Sequence, residues 1–453
     1  MNNSPDYTQD TIVAAATPPG IGGIGIVRVS GPEAANIGQR IAGVLTKPRY
    51  ATLAHFKGAN GEDLDQGMAI LFPAPHSFTG ETVVEFHGHG GPQVLSGIVD
   101  AAVNMGARMA LPGEFSKRAF LNNKLDLAQA EAIADLIGSG TKQATQAALR
   151  SLAGVFSLAV SAVQEQLTAL RLHTEAALDF PEEEIDFLAD DALAARIENC
   201  AKAFTDLTTR VSAGRILRDG FQMVIVGRPN AGKSSLLNSL SGQESAIVTE
   251  VAGTTRDILR EQINIDGLAV ELVDTAGIRN DPDRIEAEGI RRAREAIGSA
   301  DAILWIKDGS LNLEEHLRDL EPGLPDDTPF IEVRNKTDLT TEAAGLSRES
   351  PPTVNISAKT GDGIEVLRDQ IRRLAGYSDQ GEGAFTARRR HVKSIETARR
   401  HFDKGRRALR ETRSGEIFAE ELRIAQQALG EITGSFTSDD LLGRIFSEFC
   451  IGK

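Results

Sequence analysis

The spacing of apolar residues divides the first half of the chain into two kinds of sequence. From Thr11 to about Asn123, short β-branched runs such as 24–29 and 82–86 alternate with Gly and Pro turn signals, which is typical of strands. From Lys124 to about Leu217, apolar residues recur at spacings of three and four, which predicts long helices packed face to face. We therefore expect an α+β domain followed by a helical one.

The second half repeats the helical pattern around a different block. From Phe221 to about Gly376, short apolar runs alternate with helical segments, which is the rhythm of a doubly wound sheet. Asp266-Gly267 separates two alternating runs and predicts a tight hairpin. After Gly381 the helical pattern returns, and Ser438 is the predicted N-cap of a last short helix.

Because helical sequence flanks the α/β block on both sides, we predict a multidomain chain in which an α/β domain is inserted into one all-α domain. The predicted α+β domain spans 1–123, and the inserted α/β domain spans 218–378. The all-α domain is predicted to consist of two segments, 124–217 and 379–453.

Composition narrows the setting and the partners. The net charge of −15 argues against a surface that binds nucleic acid everywhere, so any RNA contact should be local or made through a partner. Cys200 and Cys450 cannot form a disulfide framework, so a reducing, cytoplasmic location is expected. The first eleven residues carry no Lys or Arg, and no apolar run approaches the roughly 18 residues of a membrane span. We therefore expect neither a signal peptide nor a membrane contact.

A phosphate-binding loop is predicted at 227–234, between a strand and a helix. Its glycines let backbone N–H groups close around phosphates, Lys233 brings a charge to the β and γ oxygens, and Ser234 offers Mg²⁺ a hydroxyl. The alternative, a chance Gly-rich turn, is disfavoured because the flanking strand and helix are both present.

Three further segments complete a nucleotide site in the order expected of a GTPase. The segment 274–277 ends a strand where an aspartate reaches the metal shell, and 335–338 follows another strand. Asp338 can accept from the two N–H donors that guanine offers and adenine lacks, and 357–359 closes the base pocket. The nucleotide is therefore predicted to be GTP, and the inserted α/β domain is predicted to be a P-loop GTPase domain of the Ras-like type. The predicted contacts are Asn230, Ala231, Gly232, Lys233, Ser234, Ser235, Thr249, Glu250, Val251, Ala252, Gly253, Thr254, Thr255, Asp274, Thr275, Ala276, Gly277, Asn335, Lys336, Thr337, Asp338, Ser357, Ala358 and Lys359.

The residue that activates water is less clear from the pattern. Ras-type GTPases carry glutamine after the 274–277 element, but Ile278 stands here and cannot polarise water. Glu286 is the candidate catalytic residue, and a solvated helix carboxylate is its alternative. Thr255 is the expected second Mg²⁺ hydroxyl, and Arg256 is either an internal arginine finger or a surface arginine.

Motifs outside the nucleotide site identify a family. The GTPase elements, together with Ala16–Gly20, the block Pro112–Phe120 and the ending Phe449–Lys453, resemble the tRNA uridine-modification GTPases of the MnmE or TrmE family over nearly the entire chain. The outer motifs are more specific than the GTPase elements, which many families share.

The resemblance implies a folate site and a monovalent cation. Its N-terminal domain would bind a 5-formyl- or 5,10-methylene-tetrahydrofolate derivative and dimerise. The implied folate residues are Arg28, Glu85, Lys124 and Lys453. The family also implies K⁺ in place of an arginine finger, and Glu286 as the catalytic glutamate. The implied K⁺ ligands are Asn230, Thr249, Val251 and Thr254.

The activity implied by the resemblance is a potassium-stimulated GTPase, a homodimer that works with a flavin-dependent partner of the MnmG or GidA type. Together they would add a carboxymethylaminomethyl or aminomethyl group to carbon 5 of the wobble uridine of certain tRNAs. Two alternatives stay open: a GTP-switched ribosome or RNA assembly factor without one-carbon chemistry, and a folate-dependent aminomethyl transferase in which GTP only regulates.

Three further signals have two interpretations each. Cys450 is either a catalytic thiol near the folate or a small apolar residue, whereas Cys200 lies on a helical apolar stripe and is predicted to be core. The run 87–91 predicts a tight loop beside a ligand rather than a transition-metal site. The stretch 388–413 has 11 Lys or Arg against 3 acids and is either a solvated helix face or a contact with tRNA or a partner.

Overall fold

The computed structural model describes most of the chain and separates it into two compact units. Unit 1 combines residues 1–134 with 427–453, and unit 2 comprises 135–426. The described residues are 10–45, 47–179, 191–227, 230–241, 260–266, 268–274, 300–310, 328–347, 353–376, 384–436, 439–447, 449 and 452.

Unit 1 is built on a six-stranded sheet of order β3-β4-β5-β2-β1-β6. Neighbours are antiparallel except β1 and β6, which are parallel. The strands are β1 (Ile12–Ala15), β2 (Gly22–Ser30), β3 (Thr52–Lys57), β4 (Asp63–Phe72), β5 (Val83–Gly90) and β6 (Arg108–Met109). Buried and less buried residues alternate along the central strand β2, as expected of a sheet with one face on a core.

The helices of unit 1 cover that sheet and carry the chain onward. They are α1 (Ala34–Ala42), α2 (Pro92–Asn104), α3 (Glu114–Leu121), α4 (Leu127–Gly138), which runs into unit 2, and α12 (Asp439–Ser447). Residues of α1 and α2, among them Ile37, Ile41 and Ile98, pack against the sheet in one apolar cluster. The α+β character predicted for the N-terminal domain is confirmed.

The last helix packs onto the beginning of the helical sequence within unit 1. Leu127 and Ala130 form a cluster with the buried side chains of Ile445, Phe446 and Phe449. The predicted apolar face of this helix is therefore confirmed, while its predicted N-cap, Ser438, lies outside the described residues.

Unit 2 contains the helical layer. Its helices are α5 (Lys142–Leu152), α6 (Val155–Asp179), α7 (Asp191–Asp219), α10 (Arg389–Thr412) and α11 (Gly415–Thr433), whose end lies in unit 1. The helical periodicity predicted for 124–217 is interrupted, because Gly154 adopts a positive φ of 89° between α5 and α6. The rings of Phe204 and Phe402 lie 5.3 Å apart where α7 meets α10, and Cys200 is fully buried, which confirms its prediction as core. Burial raises the pKa of the Cys200 thiol to about 12.

The α/β block of unit 2 is a seven-stranded sheet of order β12-β13-β11-β10-β7-β9-β8. Its strands are β7 (Phe221–Gly227), β8 (Arg260–Ile265), β9 (Leu268–Asp274), β10 (Ala302–Asp308), β11 (Phe330–Asn335), β12 (Gly345–Leu346) and β13 (Thr353–Asn355). Strands β9, β7, β10, β11 and β13 are mutually parallel, and β8 and β12 pair antiparallel at the edges. The described helices of this block are α8 (Lys233–Ser241) and α9 (Ile364–Leu374).

The predicted doubly wound block is confirmed by this sheet. The hairpin between β8 and β9 turns at Asp266, whose φ is 50°, as the Asp-Gly signal predicts. The central strand β10 is buried at six of its seven positions, as expected of a parallel strand covered on both faces. Every nucleotide-site segment that the structure describes follows the carboxyl end of a strand, where ligands of such sheets bind.

The described helices offer little that could cross a membrane. Among them, no single helix combines the length and apolar composition of a membrane crossing, and only the pair α5 and α6, bent by 52°, meets both requirements together.

Candidate functional site: a guanine nucleotide site and an N-terminal pocket

The phosphate loop closes between β7 and α8. Asn230 and Gly232 both have positive φ, 65° and 94°, so the backbone turns sharply before the helix begins at Lys233. Lys233 is buried, and its Nζ donates to the Gly227 carbonyl at 2.7 Å. Ser234 is exposed at the helix N-terminus. The loop thus places backbone N–H groups, a cation and a hydroxyl together, as phosphate and Mg²⁺ binding requires.

Asn335 ties the phosphate loop to the base-binding segments. Its Nδ2 donates to the Ala231 carbonyl at 2.9 Å, and its Oδ1 accepts from the Ala358 N–H at 3.0 Å. A Cβ on Gly232 would stand 2.1 Å from Asn335 Nδ2, so this glycine is required by close approach as well as by its φ. One buried amide therefore holds three of the predicted nucleotide segments in register.

The two segments predicted to bind the guanine base meet at Asp338 and Ser357. Ser357 is buried, and its hydroxyl donates to Asp338 Oδ1 at 2.8 Å while accepting from the Thr360 N–H at 3.2 Å. Asp338 itself is exposed. The serine orients the carboxylate, which leaves the other oxygen available to the paired N–H donors of guanine.

Lys336 has a carboxylate partner that the sequence analysis missed. Its Nζ lies 2.6 Å from Asp308 Oδ2, and its backbone is left-handed with a φ of 70°. Partial burial would raise the pKa of Asp308, but hydrogen bonds from Lys336 and Ser310 outweigh it and lower that pKa. The signal was present, because Asp308 ends the apolar strand β10 at the same edge of the sheet.

Several predicted GTP residues lie outside the described residues. They are Thr249, Glu250, Val251, Ala252, Gly253, Thr254, Thr255, Thr275, Ala276, Gly277 and Glu286. The backbone of Asp274 is described: it ends β9 and pairs with Ile225 of β7, which places it beside the strand that leads into the phosphate loop. The described contacts thus join the phosphate loop to the base segments.

The N-terminal pocket centres on Arg28 and Glu85. These residues face each other across β2 and β5, and Arg28 Nε donates to Glu85 Oε1 at 2.8 Å. The guanidinium carbon of Arg28 lies 5.5 Å from the centre of the Phe78 ring and 5.7 Å from that of Phe115. His87 Nε2 lies 3.1 Å from the other oxygen of Glu85. The two predicted residues are thus brought together with Phe78 and Phe115, which were not predicted to belong to this site, and with His87 of the run that was predicted to lie beside a ligand.

Lys124 packs against the loop that carries Phe78 rather than against Arg28 itself. Its Nζ donates to the Pro75 carbonyl at 3.1 Å, and its side-chain carbons lie close to Gly80. The loop from 73 to 82 therefore contacts Arg28 through Phe78 and Lys124 through its backbone.

The end of the chain reaches the same sheet. A Cβ on Gly452 would stand 2.2 Å from the Ala15 carbonyl oxygen, and the neighbouring Ala14 pairs with Arg28 in the β1–β2 register. Cys450 and Lys453 themselves lie outside the described residues. The position of Gly452 beside β1 is what a contribution of the tail to this pocket requires.

The motif at 112–120 has a structural explanation. Arg118 is 3% exposed and pairs with Asp10 at 2.7 Å, Glu81 at 3.1 Å and Glu114 at 3.0 Å. Arg108 also pairs with Glu114, at 2.6 Å. Burial would raise the pKa of Glu114, but the bonds from Arg108, the Leu111 N–H and Arg118 outweigh it and lower that pKa. We call these five charged residues the Arg118 ion network.

The prediction of a tight loop at 87–91 is wrong, because residues 87–90 belong to strand β5. The two histidines of this run contact different carboxylates. His87 contacts Glu85, whereas His89 Nδ1 lies 2.7 Å from Asp65 Oδ1. Within the described residues, no group of three His, Cys, Asp or Glu side chains is arranged to hold a metal ion.

Family comparisons match nearly the whole chain. A model of the GTP-binding protein TrmE N-terminus matches residues 11–124, and a model of the MnmE helical domain matches residues 127–450. The second of these spans the α/β block as well as the helices on either side of it.

Curated relatives agree with the family models. The chain is 52% identical to the tRNA modification GTPase MnmE of Erwinia tasmaniensis over 459 aligned residues, which cover 100% of both chains. It is 51% identical to the protein of the same name from Proteus mirabilis, over 99% of this chain and 100% of that one. Among solved structures, the G domain of the T. maritima FeoB iron transporter is 26% identical over 34% of this chain and 98% of that one, with a TM-score of 0.27.

Proposed function

Since the chain belongs to the MnmE family, we propose that it is a GTP hydrolase that serves tRNA modification. The observation that carries this proposal is the linked nucleotide site, in which Asn335 joins the phosphate loop to the loop of Ser357, and Ser357 orients Asp338. Because the Asn335 amide bonds to the backbone of both loops, the site is suited to couple recognition of the base to binding of the phosphates. The 52% and 51% identity to two curated tRNA modification GTPases, over nearly the full length of the chain, supports the proposed role in tRNA modification.

The chain's own residues have distinct roles in this proposal. Lys233 and the loop N–H groups would bind the β and γ phosphates, and Ser234 with Thr255 would hold Mg²⁺, which would supply positive charge beside those phosphates. Glu286 orients the attacking water, because Ile278 cannot. Asp338 selects guanine. The domain arrangement of the proposal is an N-terminal domain at 1–123, a helical domain of 124–217 and 379–453, and an inserted GTPase domain at 218–378.

The N-terminal pocket is proposed to hold a tetrahydrofolate derivative. Arg28 presents a cation between two aromatic rings, and Glu85 presents a carboxylate that is fixed by two neighbours, so the pocket offers both partners that a charged, ring-containing cofactor needs. Lys124, Lys453 and Cys450 complete the proposed site. The bound group would supply the one-carbon unit for carbon 5 of the wobble uridine. The chain would act as a homodimer, together with a flavin-dependent partner of the MnmG type.

The whole proposal is tested by the nucleosides of the wobble position. Mass analysis of tRNA from cells that lack this chain is expected to show unmodified carbon 5, and a plasmid copy should restore the modification. A Cys450→Ser copy tests whether the thiol contributes. Fully modified tRNA in the deletion strain, or a full-length chain that binds no reduced folate in equilibrium dialysis, would favour an assembly factor instead.

Removing the proposed catalytic carboxylate should separate binding from hydrolysis. Glu286→Ala is expected to slow GTP hydrolysis at least ~100-fold, within the range that one acid–base residue supplies, with nearly unchanged GTP affinity. Single-turnover hydrolysis and nucleotide titration measure the two quantities. Glu288→Ala is the matched control and should hydrolyse normally. Equal rates in the two variants would remove Glu286 from the mechanism.

A monovalent cation is proposed beside the phosphates, with Asn230, Thr249, Val251 and Thr254 as ligands. Such an ion would stabilise charge that develops between the β and γ phosphates. Hydrolysis is therefore expected to be at least ~10-fold faster in KCl than in NaCl, and Asn230→Ala should abolish most of that difference. Equal rates in both salts for the unsubstituted chain would contradict the K⁺ proposal.

A further inference from the structure

Helix α10 in unit 2 has two faces of opposite character. Its buried residues recur at spacings of four and three, and they are His391, Ile395, Ala398, Phe402 and Gly405. A Cβ on Gly405 would stand 3.0 Å from side-chain atoms of Phe418 and Glu421, so α11 packs closely on this face. The helix is therefore fixed in orientation, and its other face is turned to solvent.

That other face carries cations. Lys393, Arg400 and Arg407 follow each other at seven-residue intervals, two positions after His391, Ala398 and Gly405. Two residues correspond to about 200° around a helix axis, so these cations lie opposite the buried face, in a row about 21 Å long. We call these three residues the basic row.

Within the described part of unit 2, the basic row is not neutralised. Among the described residues, no ion pair or hydrogen bond engages the side chains of Lys393, Arg400 and Arg407. Other cations of the same helix are paired, as Lys404 is with Glu421 and Arg406 with Asp403. Three regularly spaced cations on one exposed face are therefore available to an anionic partner.

The groove next to the basic row does not carry the excess positive charge of α10. A cavity of about 350 Å³ between α7 and α10 is lined by three cations and three anions among its residues. These are Lys202, Arg399, Arg406, Glu198, Asp206 and Asp403. Its charges balance, so the excess positive charge of α10 belongs to the exposed row rather than to the groove.

We propose that the basic row binds the phosphate backbone of tRNA. The nine exposed residues of α10 are six cations, two acids and one threonine, so the face offers no apolar or aromatic anchor for a protein partner. Phosphates need only cations, and contacts to them position RNA without reading its sequence. This inference rests on the proposed function, and it locates one RNA contact on the helical layer.

The test is tRNA binding by the full chain as a function of salt. The probe is a transcribed tRNA with uridine at the wobble position, titrated by fluorescence anisotropy between about 50 and 200 mM KCl. The triple variant Lys393→Gln, Arg400→Gln, Arg407→Gln should bind about 10- to 100-fold more weakly, with a salt slope lower by about 2 to 3. Its basal GTP hydrolysis should be unchanged.

Two further variants control for net charge and for folding. Lys47→Gln, Lys57→Gln, Arg423→Gln removes three cations elsewhere and should stay within about twofold of the unsubstituted chain. Glu396→Gln, Glu411→Gln removes both acids from the exposed face of α10 and should tighten binding. Unchanged GTP hydrolysis by the basic-row variant itself shows that it is folded, so its loss of tRNA binding cannot then be attributed to unfolding.

Three results would overturn the proposal. The first is equal tRNA binding by the two triple variants. The second is normal tRNA binding by the basic-row variant together with loss of a protein partner. The third is no tRNA binding by the unsubstituted chain at about 50 mM salt. If the deletion strain lacks wobble modification while the triple variant binds tRNA normally, only this inference fails. If the deletion strain keeps its modification, the proposed function fails as well.

Discussion

Replacing Asp338 by Asn is expected to lower the affinity for GTP by about 10²- to 10⁴-fold. The carboxylate would lose two hydrogen bonds from the N–H donors of guanine, and bonds to a charged group contribute about 1.5–3 kcal/mol each. The amide of the new side chain would also place its own N–H donors opposite the N–H donors of guanine. Xanthine has a carbonyl where guanine has its amino group, so XTP should bind better to the variant than to the unsubstituted chain. Parallel titrations with GTP and XTP measure both effects.

The control for this prediction is another carboxylate of the same unit. Asp369 is exposed on α9 and pairs with Arg372, so Asp369→Asn should leave the GTP:XTP preference unchanged. Gain of XTP binding also shows that the Asp338→Asn variant is folded. If the variant still preferred GTP as strongly as before, the guanine-reading role of Asp338 would be wrong.

Replacing Arg118 by Met is expected to destabilise unit 1 by about 3–5 kcal/mol. The arginine is almost fully buried, and its removal leaves Glu81 and Glu114 without their shared cation. Hydrogen exchange of amides in β1 and α3 measures the loss locally, which matters because a multidomain chain does not unfold in one step. Arg108→Met is the control: its side chain is 42% exposed, so a loss of only about 1 kcal/mol is expected.

The same network predicts how unit 1 responds to acid. The pKa of Glu114 and that of Asp10 are lowered in the folded chain, in both cases because ion pairs with Arg108 and Arg118 outweigh burial. Their stabilisation is complete above the ordinary values of 4.5 and 3.8, and it is lost as the pH falls through the lower folded values. Unit 1 should therefore become less stable below about pH 4, and less steeply so in Arg118→Met. A variant with the same acid sensitivity as the unsubstituted chain would contradict this account.

The amino-acid sequence was sufficient to predict most helices and strands and the motifs that are continuous in sequence. The strands of the α/β block were predicted because buried parallel strands are continuous apolar runs, and the phosphate loop because its function demands glycines at fixed spacing. The break between α5 and α6 was missed, because apolar periodicity continues across Gly154 while only its positive φ ends the helix. Periodicity records which face is buried and not where the backbone turns.

Contacts between distant positions were beyond the sequence. Nothing in the pattern joins Asp10, Glu81 and Arg118, which are brought together only when β1, the loop before β5 and α3 are folded. The motif that contains Arg118 was used to identify a family, but its chemistry is structural. Likewise, Gly113 is required because a Cβ there would stand 2.5 Å from the Phe446 carbonyl oxygen, at the far end of the chain.

Unit 1 is built from the two ends of the chain, which has a consequence for synthesis on the ribosome. Leu127 and Ala130 emerge early, yet Ile445 and Phe446, whose side chains cover them, are synthesised only after all of unit 2. The nascent chain must therefore keep an apolar surface open while 135–426 is made, and closing it joins segments of high sequence separation, which is slow and exposes the intermediate to aggregation. Completion of unit 1, rather than of the nucleotide site, is thus the step at which chaperones would act during biogenesis.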